Sequence, residues 1–293
     1  MTNYIIKHYQ EGFIENQVKI GTEVSKDWHL YGQTNAERLK EVYSQPEFDP
    51  ETRLYCFKGD KMVGFLTSAI LPEKIENKTI GNLGAPLVLK GHEKAKELLI
   101  SKAIKTLKAK GANIIRTYAN DTWSGHKETA QKLNFNWIRD TAYLVGANIN
   151  NLKITGRTEN VLNYEKNRDL EELVNIFMKE LEMTEEQARQ NFEVIETAEG
   201  ILGHYIIRDD NKIVARTYAA KNTDQPEVYV GYIYSTEEKY KHQLIAKIVE
   251  LCREQGIYEL RSFLFGGMIP KLNEYEKMGF KKLSNSSMYE KEI

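Results

Sequence analysis

The sequence predicts an α/β chain of the mixed-sheet (α+β) kind, arranged as two tandem domains, each a central, mostly antiparallel sheet flanked by helices. The first observation behind this is a repeat at an offset of 145 residues, measured from Arg116 to Arg261. Leu99, Ile100, Ala103, Ile104 and Leu107 form one helical stripe, and Leu244, Ile245, Ile248, Val249 and Cys252 form another in the same register. Each helix stops at a glycine, Gly111 or Gly256, and is followed by a β-like run carrying the arginine. Self-similarity over so long a period means duplication of a whole folding unit rather than a solenoid. The second observation is that runs of helical period alternate with runs of strand period along both halves. The third is a pair of polar turns, Lys58-Gly59-Asp60-Lys61 and Arg208-Asp209-Asp210-Asn211-Lys212, each between two strand-like runs. Such hairpin signals make the sheets mixed rather than wholly parallel.

In chain order, Tyr4 to His8 alternates as a short strand and Glu11 to Val24 suits a helix. Thr34 or Asn35 caps a second helix that runs to Tyr43, before Pro46 and Pro50 break the pattern. Leu54–Phe57 and Met62–Ile70 form the first hairpin, and the apolar run Ile80 to Leu89 leads into the first striped helix. Ile114–Tyr118 is the next strand, His126–Leu133 a helix and Trp137–Val145 a closing strand. Gly146 to Asn160 is rich in Asn, Gly and Thr and reads as a linker, which sets domains at 1–148 and 157–293. The second half repeats the order: a strand at Asn160–Tyr164, a helix at Leu170–Glu182, and a helix opened by the capping box Thr184-x-x-Gln187. The hairpin of Tyr205–Ile207 and Ile213–Ala219 follows, then a strand at Glu227–Tyr234 and the second striped helix.

Composition narrows the function classes. The chain has 293 residues, 41% of them hydrophobic, which is enough for ordinary cores. Its 41 basic and 42 acidic residues give a formal charge of −1, so neither nucleic acid nor an anionic membrane is expected as a partner. Cys56 and Cys252 lie one per half in apolar runs and read as buried thiols of a reducing compartment. The apolar stretches are too short for a membrane span or signal peptide, so a cytoplasmic location is expected. The six histidines show no metal-ligand spacing, and no Walker loop, Rossmann fingerprint or nucleophile elbow is present. No metal is expected. The oligomeric state is not legible.

Each half ends in a short aromatic signature, Lys132-Leu133-Asn134-Phe135 and Lys277-Met278-Gly279-Phe280. With the order helix, helix, hairpin, strand, loop-opened long helix, strand and helix, the ending Tyr275-Glu276-Lys277-Met278-Gly279-Phe280 resembles the GNAT N-acetyltransferase family. The whole chain is similar to tandem GNAT proteins in a mycothiol-synthase-like arrangement. The resemblance implies acetyl-CoA as co-substrate and a small-molecule or peptide amine as acceptor, joined by direct attack without a covalent enzyme intermediate. In that family the pantetheine arm lies where the fourth strand splays from the fifth. The pyrophosphate sits on backbone amides where a loop reading Arg-Gly-x-Gly-x-Gly/Ala opens the long helix, since unpaired N–H groups and the helix dipole favour an anion there.

Both halves depart from that loop. The first half has Lys90-Gly91-His92-Glu93-Lys94-Ala95-Lys96, keeping one glycine and one alanine among three lysines. The expected CoA contacts are therefore the strand backbone at Leu87, Val88 and Leu89, the loop at Lys90, Gly91, His92, Lys94, Ala95 and Lys96, and Asn120. An ordinary charged helix start is the alternative. The second half has Ser235-Thr236-Glu237-Glu238-Lys239-Tyr240, without glycine, and Ser235-x-x-Glu238 fits a capping box that satisfies its own amides. Binding features thus favour the first half. Chemical features favour the second, because the family tyrosine that protonates the departing thiolate corresponds to Tyr275, where the first half has Ala130. Tyr275 also suits plain core packing. Glu227 is the carboxylate placed to take the amine proton, with Asp121 and His126 as the first-half alternatives. Trp28 and Tyr31 lie in the segment that walls the acceptor site in this fold, and they suit core or linker packing equally well. A catalytically inactive tandem GNAT acting as a binding or assembly module is the other reading. A transferase using aminoacyl-tRNA is a third, disfavoured by the neutral charge.

Overall fold

The computed structural model describes residues 4–221 and 226–293. The chain forms two compact units, Met1–Thr141 with Ser284–Ile293, and Ala142–Leu283. Unit 1 opens with β1 (Tyr4–His8), α1 (Ile14–Ser25) and α2 (Ala36–Tyr43), the last capped by the Asn35 side chain on Arg38 N–H at 2.9 Å. Such a cap contributes about 1 kcal/mol. The hairpin β2 (Arg53–Lys58) and β3 (Lys61–Ile75) turns at Gly59, whose φ of +62° suits glycine. Then come β4 (Lys78–Leu83), β5 (Leu87–Val88), α3 (Glu93–Ala109), β6 (Ile114–Asn120) and α4 (His126–Lys132).

Unit 2 repeats this plan with β8 (Val161–Asn163), α5 (Lys166–Glu180), α6 (Glu185–Thr197), β9 (Ile201–Asp209), β10 (Lys212–Lys221), β11 (Val228–Val230), β12 (Tyr234–Ser235), α7 (Glu238–Glu254), β13 (Glu259–Phe265) and α8 (Leu272–Lys277). The capping box that opens α6 forms in both directions, Thr184 Oγ1 accepting from Gln187 N–H and Gln187 Oε1 from Thr184 N–H. The striped helices bury the faces their periodicity requires: Leu99, Ile100, Ala103 and Leu107 on α3, and Leu244, Ile245, Ile248, Val249 and Cys252 on α7. Each fully buried leucine or isoleucine stabilises its unit by about 1.5–3 kcal/mol.

The two closing strands are exchanged. β7 (Asn136–Asn148) leaves unit 1, and its residues 142–148 pair antiparallel with β13 of unit 2. β14 (Lys281–Glu292) returns, and its residues 286–292 pair antiparallel with β6 of unit 1. Hydrogen bonds from Asn285 Nδ2 and Ser287 Oγ to Asp140 Oδ1, at 3.2 and 2.7 Å, fix the returning strand. The units therefore depart from the expected spans 1–148 and 157–293 at their strand ends. The expected linker also starts later, since residues 146–148 are still strand and a single 3-10 turn, Ile149–Asn151, follows. Within unit 1 the strand order is β1-β2-β3-β4-β6-β14, and within unit 2 it is β8-β9-β10-β11-β13-β7. In each, the central parallel pair (β4 with β6, β11 with β13) is embedded among antiparallel neighbours.

Two sequence expectations are corrected. The runs Ile80 to Leu89 and Glu227 to Tyr234 are each broken strands rather than continuous ones. Gly84 N–H turns to Thr67 O and Gly231 N–H to Tyr218 O, both at 2.9 Å, which bends the chain out of the parallel pairing. Pro86 then has no N–H to offer a ladder. The second correction concerns Ser235-x-x-Glu238. The cap residue of α7 is Glu237, without a side-chain cap, and Ser235 Oγ donates instead to Glu237 O. Among the described residues, no helix is long and apolar enough to cross a membrane.

Candidate active site

The bends create the same fork in both units. In unit 1 the parallel pairing of β4 with β6 ends at Leu83 opposite Thr117, whose Oγ1 donates to Leu83 O at 2.7 Å. In unit 2 the pairing of β11 with β13 ends at Val230 opposite Ser262, whose Oγ donates to Val230 O at 3.0 Å. Beyond these points β5 and β12 stay paired with β3 and β10 while β6 and β13 run on, so the strands part. A hydroxyl closes the base of each fork.

What stands beside that hydroxyl differs. In unit 2 the neighbour is Tyr275, 2% exposed on α8, which hydrogen-bonds with Ser262. The two hydroxyls meet at the fork, and this contact by itself favours the Tyr275 phenolate. Burial pushes its pKa well above the usual tyrosine value, so it keeps its proton through the physiological range. In unit 1 the neighbour is His126, whose Nε2 lies 3.1 Å from Thr117 Oγ1. Thr117 has spent its hydrogen on Leu83 O, so Nε2 carries the ring proton and Nδ1 is left as a buried acceptor with no partner among the described residues. Burial, then the charge of Lys96, lowers the His126 pKa to about 4.

The space past each fork differs more. In unit 1, Trp28 and Trp123 stack with centroids 5.5 Å apart and pack with Ala85 and Leu87 immediately beyond the fork. Trp123 Nε1 donates to His29 O at 2.7 Å and Trp28 Nε1 to Ser124 Oγ at 3.3 Å, tying the α1–α2 connection to the β6–α4 loop. In unit 2 the corresponding segments, residues 181–183 and 266–268, stand on the rim of a cavity of about 660 Å³. Its walls are Arg216, Tyr218 and Ala220 on β10, residues 229–232 on β11 and the bend, Phe177 and Glu180 on α5, and Phe263 and Phe265 on β13. That volume is the size of a small-molecule site. A Cβ on Gly231 would run into the Tyr218 ring, so glycine there lets the aromatic wall lie over the bend.

The chain resembles known structures but not known sequences: no family model matches it, and neither does any curated protein. A tandem GNAT protein from the clavulanic acid biosynthesis pathway superposes with a TM-score of 0.64 over 99% of this chain and 98% of its own, at 12% identity. A GCN5-related N-acetyltransferase from Sphaerobacter thermophilus gives 0.63 over 99% and 95%, at 10% identity. A protein from Enterococcus faecalis described as a probable N-acyltransferase gives 0.53 over 100% and 73%, at 8% identity. The chain has the tandem GNAT fold.

On that fold the expected residues fall into separate groups. Leu87 and Val88 form β5 of the unit 1 fork, with Leu89 N–H bonded to Val63 O at 2.9 Å. Lys90 and Lys94 are exposed at the start of α3, and Gly91 has φ +85° with open space above it. Glu93, however, turns its carboxylate onto Gly91 N–H at 3.0 Å, and the bond to its own N–H, followed by this one, holds it below the usual carboxylate range. A carboxylate thus sits where a pyrophosphate would need an amide. His92 Nδ1 is bonded to Tyr4 OH at 2.9 Å, Ala95 is buried in the core, and Lys96 Nζ donates to Ser124 O at 3.1 Å. Asn120 is buried and clasps its own loop, accepting from Thr122 N–H and Oγ1 and donating to Ser286 Oγ. Asp121 Oδ1 accepts from Asn285 N–H at 3.0 Å.

In unit 2, Tyr275 reaches the fork while Glu227 does not. Glu227 immediately precedes β11, 5% exposed, and its Oε1 is 3.0 Å from Arg261 Nη1. The cavity wall on that strand begins at Tyr229. Sequence reasoning missed Arg216, Glu180 and Glu182 on the cavity. The signal was there for Arg216, a lone charge in the strand Ile213–Ala219, whose neighbours are otherwise apolar or small. Among the described residues, no group of His, Cys, Asp and Glu is clustered for a metal.

Proposed function

We propose that the chain is an N-acyltransferase that moves an acyl group, acetyl in the first instance, from acyl-CoA to a primary amine, with unit 2 as the working copy. The observation that carries this reading is the cavity walled by Val230 and Gly231 where β11 leaves β13, with Tyr275 buried beside Ser262 at the same fork. The solved neighbours support it as a class, one being described as an N-acetyltransferase and another as a probable N-acyltransferase. The parted strands fit an acyl-CoA arm, and the α7 start has no side-chain cap occupying its amides. The acyl-CoA supplies an activated acyl carbon. The protein's part is to hold an amine against it in a largely apolar cleft, to accept the amine's proton, and to return one to the departing thiolate. Tyr275, protonated and at the fork, supplies the second proton. Glu180 and Glu182, the carboxylates on the cavity, take up the first, directly or through water. Cys56 and Cys252 are buried free thiols, consistent with a cytoplasmic protein.

The test is release of free thiol from acetyl-CoA across a panel of small and peptide amines. Tyr275→Phe should lower kcat by about 10²-fold with little change in acceptor KM, the range of a lost general acid. Transfer at the wild-type rate in Tyr275→Phe would remove its role. A binding or assembly module, the second reading, is favoured by the Glu93 clasp on the unit 1 loop. It predicts no thiol release with any amine and no heat on titration with acetyl-CoA.

A further inference from the structure

The wall of the unit 2 cavity contains a charge that the fold leaves unanswered. Arg216 is 0% exposed on β10, yet among the described residues no carboxylate pairs with it. Its Nε donates to His204 Nε2 at 2.7 Å, and its guanidinium lies 5.1–5.2 Å from the ring centroids of Phe177, Phe192 and Tyr218. One guanidinium nitrogen, Nη2, is buried with no hydrogen-bond partner among the described residues. His204 cannot neutralise the charge, because burial and Arg216 itself keep that imidazole unprotonated. A buried cation held by aromatic faces and one neutral acceptor is expensive, since a desolvated charge normally recovers its hydration from an ion pair.

Unit 1 shows that the fold has no need of this charge. Gly84 N–H bonds to Thr67 O as Gly231 N–H bonds to Tyr218 O, and Phe65 faces Leu87 as Arg216 faces Tyr234. Phe65 therefore holds the place of Arg216, and it is buried in an apolar aromatic cluster. The same strand position is filled by packing alone in the unit whose fork is filled with tryptophan, and by a guanidinium in the unit whose fork is open. Arg216 also stands close to the reacting region. Thr217 Oγ1, on the next residue, donates to Gly231 O at 3.3 Å, and Tyr218, two positions (about 7 Å) along the strand, lies over Gly231. A guanidinium presents its donors in a planar fork that matches a carboxylate.

We propose that Arg216 anchors a carboxylate of the acceptor, so that the molecule taken into the unit 2 cavity is a compact amino-carboxylate of the amino-acid class. This rests on reading the cavity as the acceptor site. The free amine end would then lie toward the fork, with Glu180 and Glu182 on the cavity edge to receive its proton, and the aromatic wall covering the carbon skeleton. Arg216 is protonated throughout the neutral range, its pKa being lowered by burial only to about 10.

The test uses the full chain and matched pairs: glycine, β-alanine, 4-aminobutyrate, glutamate and phenylalanine, each beside its carboxamide, titrated calorimetrically without acetyl-CoA. At least one acid should bind tenfold or more tighter than its amide, and R216Q should bring that acid down to the amide's affinity. If R216Q fails to fold by near-UV circular dichroism, R216K takes its place. It keeps the charge and loses the planar fork, and should weaken the acid severalfold. No acid–amide difference anywhere in the panel, or a difference that survives in the folded Arg216 variant, overturns the proposal. Thiol release on the same panel separates the two claims. Selective binding of an acid without release of thiol from acetyl-CoA keeps the carboxylate anchor and removes the transferase reading. Equal transfer to acid and amide does the reverse.

Discussion

At the scale of single residues, the two units differ by a handful of side chains laid on one hydrogen-bonded frame. Ser262 and Thr117 do the same work at the base of each fork, but Tyr275 stands over one and His126 over the other. Tyr275 and Ala130 were legible as a functional difference in the sequence, because both sit at a fixed distance before a phenylalanine. Glu227 was legible only as a carboxylate next to the right strand. Its ion pair with Arg261 depends on the parallel register of β11 with β13, which no local pattern reports. His126 makes a prediction of its own. Its folded pKa of about 4 lies below the ordinary 6.5, so on acidification the unfolded chain takes up a proton before the native one does. The neutral ring's contribution to stability is complete above about pH 6.5 and is lost as the pH falls toward 4. Between about pH 7.5 and about pH 5 unit 1 should lose about 2 kcal/mol on this account. All three tryptophans, Trp28, Trp123 and Trp137, lie in unit 1, so their fluorescence in urea titrations reads that unit. His126→Gln should flatten the wild-type loss over this window, and an unchanged slope would show that the ring does not titrate as described.

At the scale of elements, the helices and hairpins were readable and the bent strands were not. Amphipathic period, Asn35, Thr184 and Gly59 each act within a few residues of themselves, and each produced the element expected of it. The breaks at residues 84–86 and 231–233 arise from hydrogen bonds to a neighbouring strand, Gly84 to Thr67 and Gly231 to Tyr218, so an apolar run alone looks continuous. The uncapped start of α7 has the same cause. Thr236 N–H is drawn to Val214 O at 2.9 Å, and Ser235 joins β12 rather than the helix. Gly231→Ala tests the importance of the bend. The added methyl meets the Tyr218 ring, which must shift, at a cost of about 1–3 kcal/mol for overpacking. We expect a lower Tm and a raised acceptor KM. Wild-type values for both would mean that Tyr218 moves freely and the wall is not fixed.

At the scale of the whole molecule, duplication was visible as a repeat while the exchange of closing strands was hidden. A repeat records what each half contains, and strand pairing at long range is not written in either copy. The consequence is that residues 1–148 alone leave β6 without its β14 partner, and residues 149–293 alone leave β13 without β7. Unpaired central strands are open templates for aggregation. Expressed separately, the two pieces should be insoluble or oligomeric, and expressed together they should co-purify. Two soluble, monomeric, cooperatively unfolding halves would contradict the exchange. The exchange also means that unit 1, whose fork is filled, serves as scaffold, because each sheet is completed by the other half's chain.

The central claim, that unit 2 is the copy that carries out acyl transfer, is tested most directly by hydrogen–deuterium exchange with and without saturating acetyl-CoA. We predict slowed exchange in β11, β12 and the first turn of α7, with β13 beside them, and little change in residues 80–96. Protection confined to residues 80–96 of unit 1, or none in either unit, would contradict it.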